Sequence, residues 1–196
     1  DESVQDPDAA TAGMRKEAIA LRRVQEARRP IAEVVLQSQI STVLADEELT
    51  VLGQVWPPVK FAFSEPPYYL IVSPRSRIEL YMGVYLKSDL PLDRQIMLET
   101  QVESLSDLSA LVEGVGGFGA FPTMVIDRAS LAWILSTIAH EWTHNYLAFH
   151  PLGWHYYDNN DTVTLNETVA SIVGDEVGAK ALARFYPDLV PPKRIP

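Results

Sequence analysis

LAWILSTIAHEWTHNYLAFH, residues 131–150, is apolar on nearly every face and carries His140-Glu141-Trp142-Thr143-His144 at its centre. Leu131, Trp133, Ile134, Leu135, Ile138, Ala139, Trp142, Tyr146, Leu147 and Phe149 recur along it. A helix that is hydrophobic all round belongs inside a fold. Asp127 or Ser130 can cap its start, and Pro151 stops it. The stretch therefore predicts a buried central helix. Burying an unpartnered polar group costs about 2–7 kcal/mol, so two histidines and a glutamate in such a helix need partners. Residues four apart share a helix face, so His140 and His144 can close on one metal ion. Glu141 lies about 100° round from His140, within reach of a water on that metal. These side chains supply two ligands and a base for zinc-dependent hydrolysis.

A hydrolytic zinc takes three protein ligands and keeps one position for water. The chain has four histidines in all. His150 follows His144 by six residues, the spacing of the longer H-E-x-x-H-x-x-G-x-x-H pattern. Leu147, however, occupies the glycine position at which that pattern turns, and no methionine follows Met124 to form a methionine turn. Glu167 is the better third ligand. It begins a helical pattern reaching about Phe185, and Ala170, Ser171, Gly174 and Gly178 make a stripe of small residues on its face. Each of those glycines costs a helix roughly 1 kcal/mol, which points to close packing against the histidine helix. The competing reading of Glu167 is a carboxylate favoured by the dipole at a helix start.

His140–His144 followed by Asn166-Glu167 resembles the gluzincins, the thermolysin-like and aminopeptidase-like zinc metallopeptidases. The resemblance spans about Ala120 to Phe185. It implies a zincin-like fold, Zn2+ held by His140, His144 and Glu167, and peptide-bond hydrolysis through a zinc-bound water with Glu141 as general base. In that family an aspartate four residues after the glutamate ligand often orients a ligand histidine. Position 171 is serine here, so Asp175 or Glu176 is the expected substitute. The segment 117–124 lacks the G-x-M-E-N residues of the aminopeptidases, so aminopeptidase specificity is not implied. A donor for the tetrahedral oxyanion is also needed. His155, Tyr156 and Tyr157 lie between the two metal-binding segments and are the candidates; an aromatic loop packed on the core is the other reading of them. The alternative function is a catalytically inactive zincin-fold binding or scaffold protein that retains the metal site.

The rest of the chain predicts an α+β fold. Residues 1–10 are acidic and polar, as in a disordered tail. Residues 11–50 form a helical segment, divided or kinked at Pro30. Its charge-rich part, Arg15 to Arg29, reads as a solvated face rather than a basic interaction arm. Residues 51–196 form the zincin-like domain, or the whole chain forms one domain. Lys60–Phe63, Tyr68–Val72 and Arg77–Leu86 read as a small antiparallel sheet of two or three strands. Pro91–Leu111 reads as helix, with a break near 104–107. Gly114 to Gly119 is glycine-rich and leads to an apolar strand, Ala120–Ile126. It lacks the Gly-Lys-Ser/Thr of a phosphate loop. A flexible hairpin is the plainer reading, a substrate-facing edge the functional one.

Composition narrows the partners. The formal net charge of −10 argues against nucleic acid, which demands a basic surface. The absence of cysteine excludes disulfides and thiolate ligands. No apolar run reaches the roughly 18 residues of a membrane span. The start at Asp1 and the end shortly after Pro191-Pro192 suggest a piece trimmed from a longer polypeptide. An extracytoplasmic or membrane-anchored location would then follow from a removed upstream segment. The expected partner is a peptide or protein substrate.

Overall fold

The computed structural model describes residues 7–105 and 107–192. Of the expected tail, residues 1–6 lie outside the described residues, and the backbone of 7–10 is already helical. The fold is α+β.

Helix α1 (Pro7–Asp46) is one helix that contains Pro30, not the two helices that were one of the expectations there. An interior proline costs a helix about 3 kcal/mol, and contacts just after it offset that cost. Phe63 N donates to Glu33 Oε1 at 2.7 Å, Gln37 Nε2 donates to the Phe61 carbonyl at 2.9 Å, and Arg29 pairs with Asp127. Leu36, Ile40, Val43 and Leu44 then enter the core.

A short hairpin, β1 (Thr50–Val51) and β2 (Gln54–Val55), leads to β3 (Phe61–Phe63). Next come β4 (Tyr68–Pro74), β5 (Met82–Leu86), α2 (Leu92–Leu105), β6 (Leu108–Gly114), β7 (Gly117–Phe118) and β8 (Thr123–Val125). The expected strand set is divided between two sheets. β4 lies between β5 and β6, antiparallel to both, whereas β3 pairs parallel with β8, whose other neighbour is β7. β6 comes partly from a stretch whose leucines and alanine suggested helix. Its register sets Val112 against Leu70 and Ala110 against Val72, so Leu70, Val72 and Val112 make a small core with Val102 of α2. That packing outweighs a local helical preference of a few tenths of a kcal/mol per residue.

Helix α3 (Leu131–Leu147) starts where Ser130 Oγ accepts the Trp133 N–H, and it is the buried central helix expected. Ile134, Leu135, Ile138, Ala139 and Trp142 meet the α1 residues, Phe61, Val125, and Val177, Ala181 and Leu182. Each fully buried aliphatic side chain contributes about 1.5–3 kcal/mol. Together they offset the cost of placing Glu141 in the same helix. The indole Nε1 of Trp142 donates to the Pro57 carbonyl at 2.7 Å. A single turn, α4 (Pro151–Trp154), precedes α5 (Asn160–Phe185), which is opened by an Asn159/Thr162 capping box and followed by a 3-10 turn at Pro187–Leu189. Of the small stripe on α5, Gly174 and Gly178 face α3 and Ala170 is buried, whereas Ser171 is exposed. A Cβ on Gly178 would stand 2.7 Å from the Ser136 backbone, and one on Gly174 would stand 2.9 Å from His140 Cβ.

Candidate metal centre

The close approach of α3 and α5 brings three donors together. His140 Nε2 and His144 Nε2 are 3.1 Å apart, and each is 3.5 Å from Glu167 Oε2. These residues are neither fully buried nor fully exposed, and their donor atoms could hold one metal ion. Glu167 is the eighth residue of α5, beyond the first turn where the helix dipole acts. Its position is therefore explained by the histidines. They hold its carboxyl well below the usual carboxylate range.

Asn166, next to Glu167 and fully buried, orients one of the two imidazoles. Asn166 Nδ2 lies 3.4 Å from the Leu152 carbonyl, which leaves Oδ1 to accept from His144 Nδ1 at 2.8 Å. A proton on Nδ1 leaves Nε2 of the neutral ring with its lone pair facing the centre. Burial alone would lower the His144 pKa, but Glu167, Glu141 and Asn166 outweigh it and raise the value. Asp175 and Glu176 do not take this role. Asp175 accepts from Ser136 Oγ at 3.0 Å, and Glu176 is exposed. The reason is geometric: Ser171, Asp175 and Glu176 are exposed, while Asn166, the residue before Glu167, is buried.

Glu141 is buried beside the donors, and burial raises its pKa, with Glu167 adding to the rise and the two histidines opposing it. The glycine-rich segment lies directly on it. A Cβ on Gly117 would come within 2.4 Å of Glu141 Oε1, and one on Gly119 within 3.3 Å of Oε2. Asn145 ties the segment down, its Nδ2 donating to the Ala120 carbonyl and to Thr123 Oγ1. The segment is thus both a hairpin and the wall of the site. Its strand β7 is the outer strand of its sheet.

Compared with protein-family models, curated proteins and solved structures, the chain matches none. The site must therefore be read from its own geometry.

The three aromatic-loop candidates separate. Tyr156 OH donates to Glu167 Oε1 at 2.7 Å, and burial together with that carboxylate raises its pKa. Tyr157 lies edge-on to Tyr156, with ring centroids 4.8 Å apart, and is exposed. The His155 side chain is 61% exposed and bonds Asp158 at 2.7 Å, so the structure does not bring it to the donors. His150 stacks on Tyr146 at the start of α4, away from the group. Two side chains that pack on the glycine-rich segment carried no recognisable sequence signal. Asn145 is one. The other is Tyr85 of β5, whose ring packs 5.1 Å from Phe118 of β7. Its pKa is raised by burial first, then by Tyr69, Tyr157 and the carboxylates of Glu167 and Glu141.

Proposed function

We propose that this chain is a zinc-dependent peptide hydrolase of the gluzincin type, with a zincin-like fold. The observation that carries the proposal is the donor triangle, with edges of 3.1, 3.5 and 3.5 Å. A tetrahedral zinc with bonds of about 2.0–2.2 Å to imidazole and carboxylate spans ligand–ligand edges of roughly 3.3–3.5 Å. Two imidazoles and one carboxylate are also the donor chemistry of hydrolytic zinc, which leaves a fourth position for water or substrate. The hydrogen bonds from His144 to Asn166 and from Tyr156 to Glu167 fit this reading, because outer partners of this kind fix the orientation of a metal's ligands.

Zinc, when bound, acidifies a water molecule and polarises the carbonyl under attack. The protein's own groups carry the protons. Glu141 accepts one from the attacking water and delivers it to the leaving amine. Its raised pKa suits both halves of that transfer, since a base must also release what it takes. Of the three aromatic-loop residues, Tyr156 is the oxyanion donor: its hydroxyl stands at the donor group, and its one proton turns from Glu167 Oε1 to the oxyanion as charge develops there. The substrate is a peptide or protein segment laid along β7, whose edge is open to strand addition next to Glu141.

Metal analysis after zinc-replete purification tests the centre. We expect one zinc per chain, lost in Glu167→Ala, with peptide cleavage lost alongside it. Full retention of zinc in that variant would remove Glu167 from the ligand set. A zinc-loaded wild-type chain that leaves a broad peptide library uncut would favour the binding or scaffold reading.

A further inference from the structure

The first half of α1 is not used by the metal centre, and every residue from Ala12 to Arg28 is exposed. A helical segment of that length is stabilised in water chiefly by packing an apolar face. Helical spacing places the large apolar residues of α1 in two seams, apart from Ile19 on the far face and Val34 at a flank. Leu36, Ile40, Val43 and Leu44 form one and are buried in the core. Met14, Leu21, Val24, Ile31 and Val35 form the other, roughly 120° round the helix. They are 64%, 63%, 47%, 69% and 43% exposed.

The second seam follows a seven-residue repeat, with Met14, Leu21 and Val35 at a and Val24 and Ile31 at d. The flanking e and g positions carry Gly13, Ala18, Ala20, Gln25, Ala27, Ala32 and Val34, which are uncharged and mostly small. A second helix can approach them closely. Two charges interrupt the seam, Glu17 at d and Arg28 at a, and both are exposed. Neither belongs to an ion pair among the described residues.

Those two charges select the occupant. In an antiparallel pair of helices a meets d. With a two-fold axis passing between Arg22 and Arg23, Met14 meets the partner's Ile31 and Leu21 meets the partner's Val24. In the same register Glu17 meets the partner's Arg28. One arrangement therefore pairs apolar with apolar and neutralises both charges twice, as a self-complementary interface requires. A parallel pair would instead set Glu17 against Glu17 and Arg28 against Arg28. We infer that the amino-terminal half of α1 is a dimerisation helix that docks antiparallel on the same segment of a second copy of this chain. Pro30 lies on the helix face turned away from the seam. A shallow groove between Phe63 and Leu21, Val24, Arg28 and Ala32 continues the apolar surface onto the body.

Sedimentation equilibrium on the full chain, with and without charge reversal, tests this. The expected species is a dimer of 21.9 kDa chains. Glu17→Arg or Arg28→Glu alone should weaken association at least about tenfold, because each sets like charges together. The two combined should restore it. The chain has no cysteine, so Met14→Cys and Ile31→Cys report the register cleanly. A mixture of the two variants should cross-link under oxidation. Neither should do so alone, because identical positions lie about 26 Å apart in this register. A monomer up to roughly 100 µM with its helical circular dichroism intact would overturn the proposal. So would self-cross-linking of either variant alone, or failure of the double charge reversal to recover association.

Discussion

Glu141 is sensitive to a neighbour that does no chemistry itself. Because a Cβ on Gly117 would press on Glu141 Oε1 and on Thr137 Cγ2 at 2.8 Å, Gly117→Ala must displace the carboxylate. The obstacle is the end of a flexible side chain, so we expect a fall in kcat of about tenfold or more, with a Tm within a few degrees of wild type. A kcat left unchanged would mean that Glu141 tolerates displacement and is not the base. Tyr156→Phe removes one hydroxyl while keeping the ring. With zinc held at saturation, it should lower kcat by about 10²–10³-fold, the usual effect of losing one oxyanion donor, while zinc affinity falls because Glu167 loses a partner.

His144 gives the pH dependence. Glu167, Glu141 and Asn166 raise its pKa, so its proton stabilises the metal-free fold below the ordinary histidine range. That contribution is lost as pH rises through the raised value. Metal binding must expel the same proton. Affinity for zinc should therefore fall as pH drops through the His144 value, by about tenfold per pH unit for each proton released. Chelator competition across that range measures it, and a flat profile would remove His144 from the ligand set.

At the scale of elements, the contact between α3 and α5 decides whether a centre exists. Replacing Gly178 with alanine gains about 1 kcal/mol of helix propensity. Its new Cβ, however, would stand 2.7 Å from the Ser136 Cα and N. Backbone does not yield as a side chain does, and overpacking of this kind costs about 1–3 kcal/mol. The clash wins. Gly178→Ala should lower both Tm and zinc affinity, and calorimetry showing higher stability with zinc retained would contradict that packing. The glycines show how much of the site was legible: their spacing along one face, together with the His-Glu-His spacing of α3, is local information. So is the capping of α3 by Ser130. The partner of His144 is local too, adjacent to Glu167 at Asn166, whereas the gluzincin resemblance implied one at or after position 171. β6 and the parallel β3–β8 pairing were not legible. Both depend on partners tens of residues away, and the leucines of 108–112 suit a helix as well as a strand until Leu70 and Val72 are placed opposite them. Tyr85 is a similar case, since only the packing of β5 against Phe118 brings it to the site.

At the scale of the whole molecule, one core composed of α1, α3, α5 and the strands β3 and β8 supports the two helices that carry the candidate metal centre. A smaller core under β4, β5 and β6 sets Tyr85 beside the site. Burial is dense where α3 is held and sparse along the first half of α1, so stability and assembly are assigned to different parts of one helix. The division matters for experiment: substitutions in the exposed seam should change association while leaving the metal centre intact. The chemistry itself rests on separating metal binding from proton transfer. The most direct measurement is peptide cleavage and zinc content determined together for wild type and Glu141→Gln. Wild type should cut peptide with one zinc per chain, and the variant should keep that zinc while losing cleavage by several orders of magnitude. Cleavage by Glu141→Gln at the wild-type rate, or zinc-loaded wild type that cuts no peptide, would contradict the assignment.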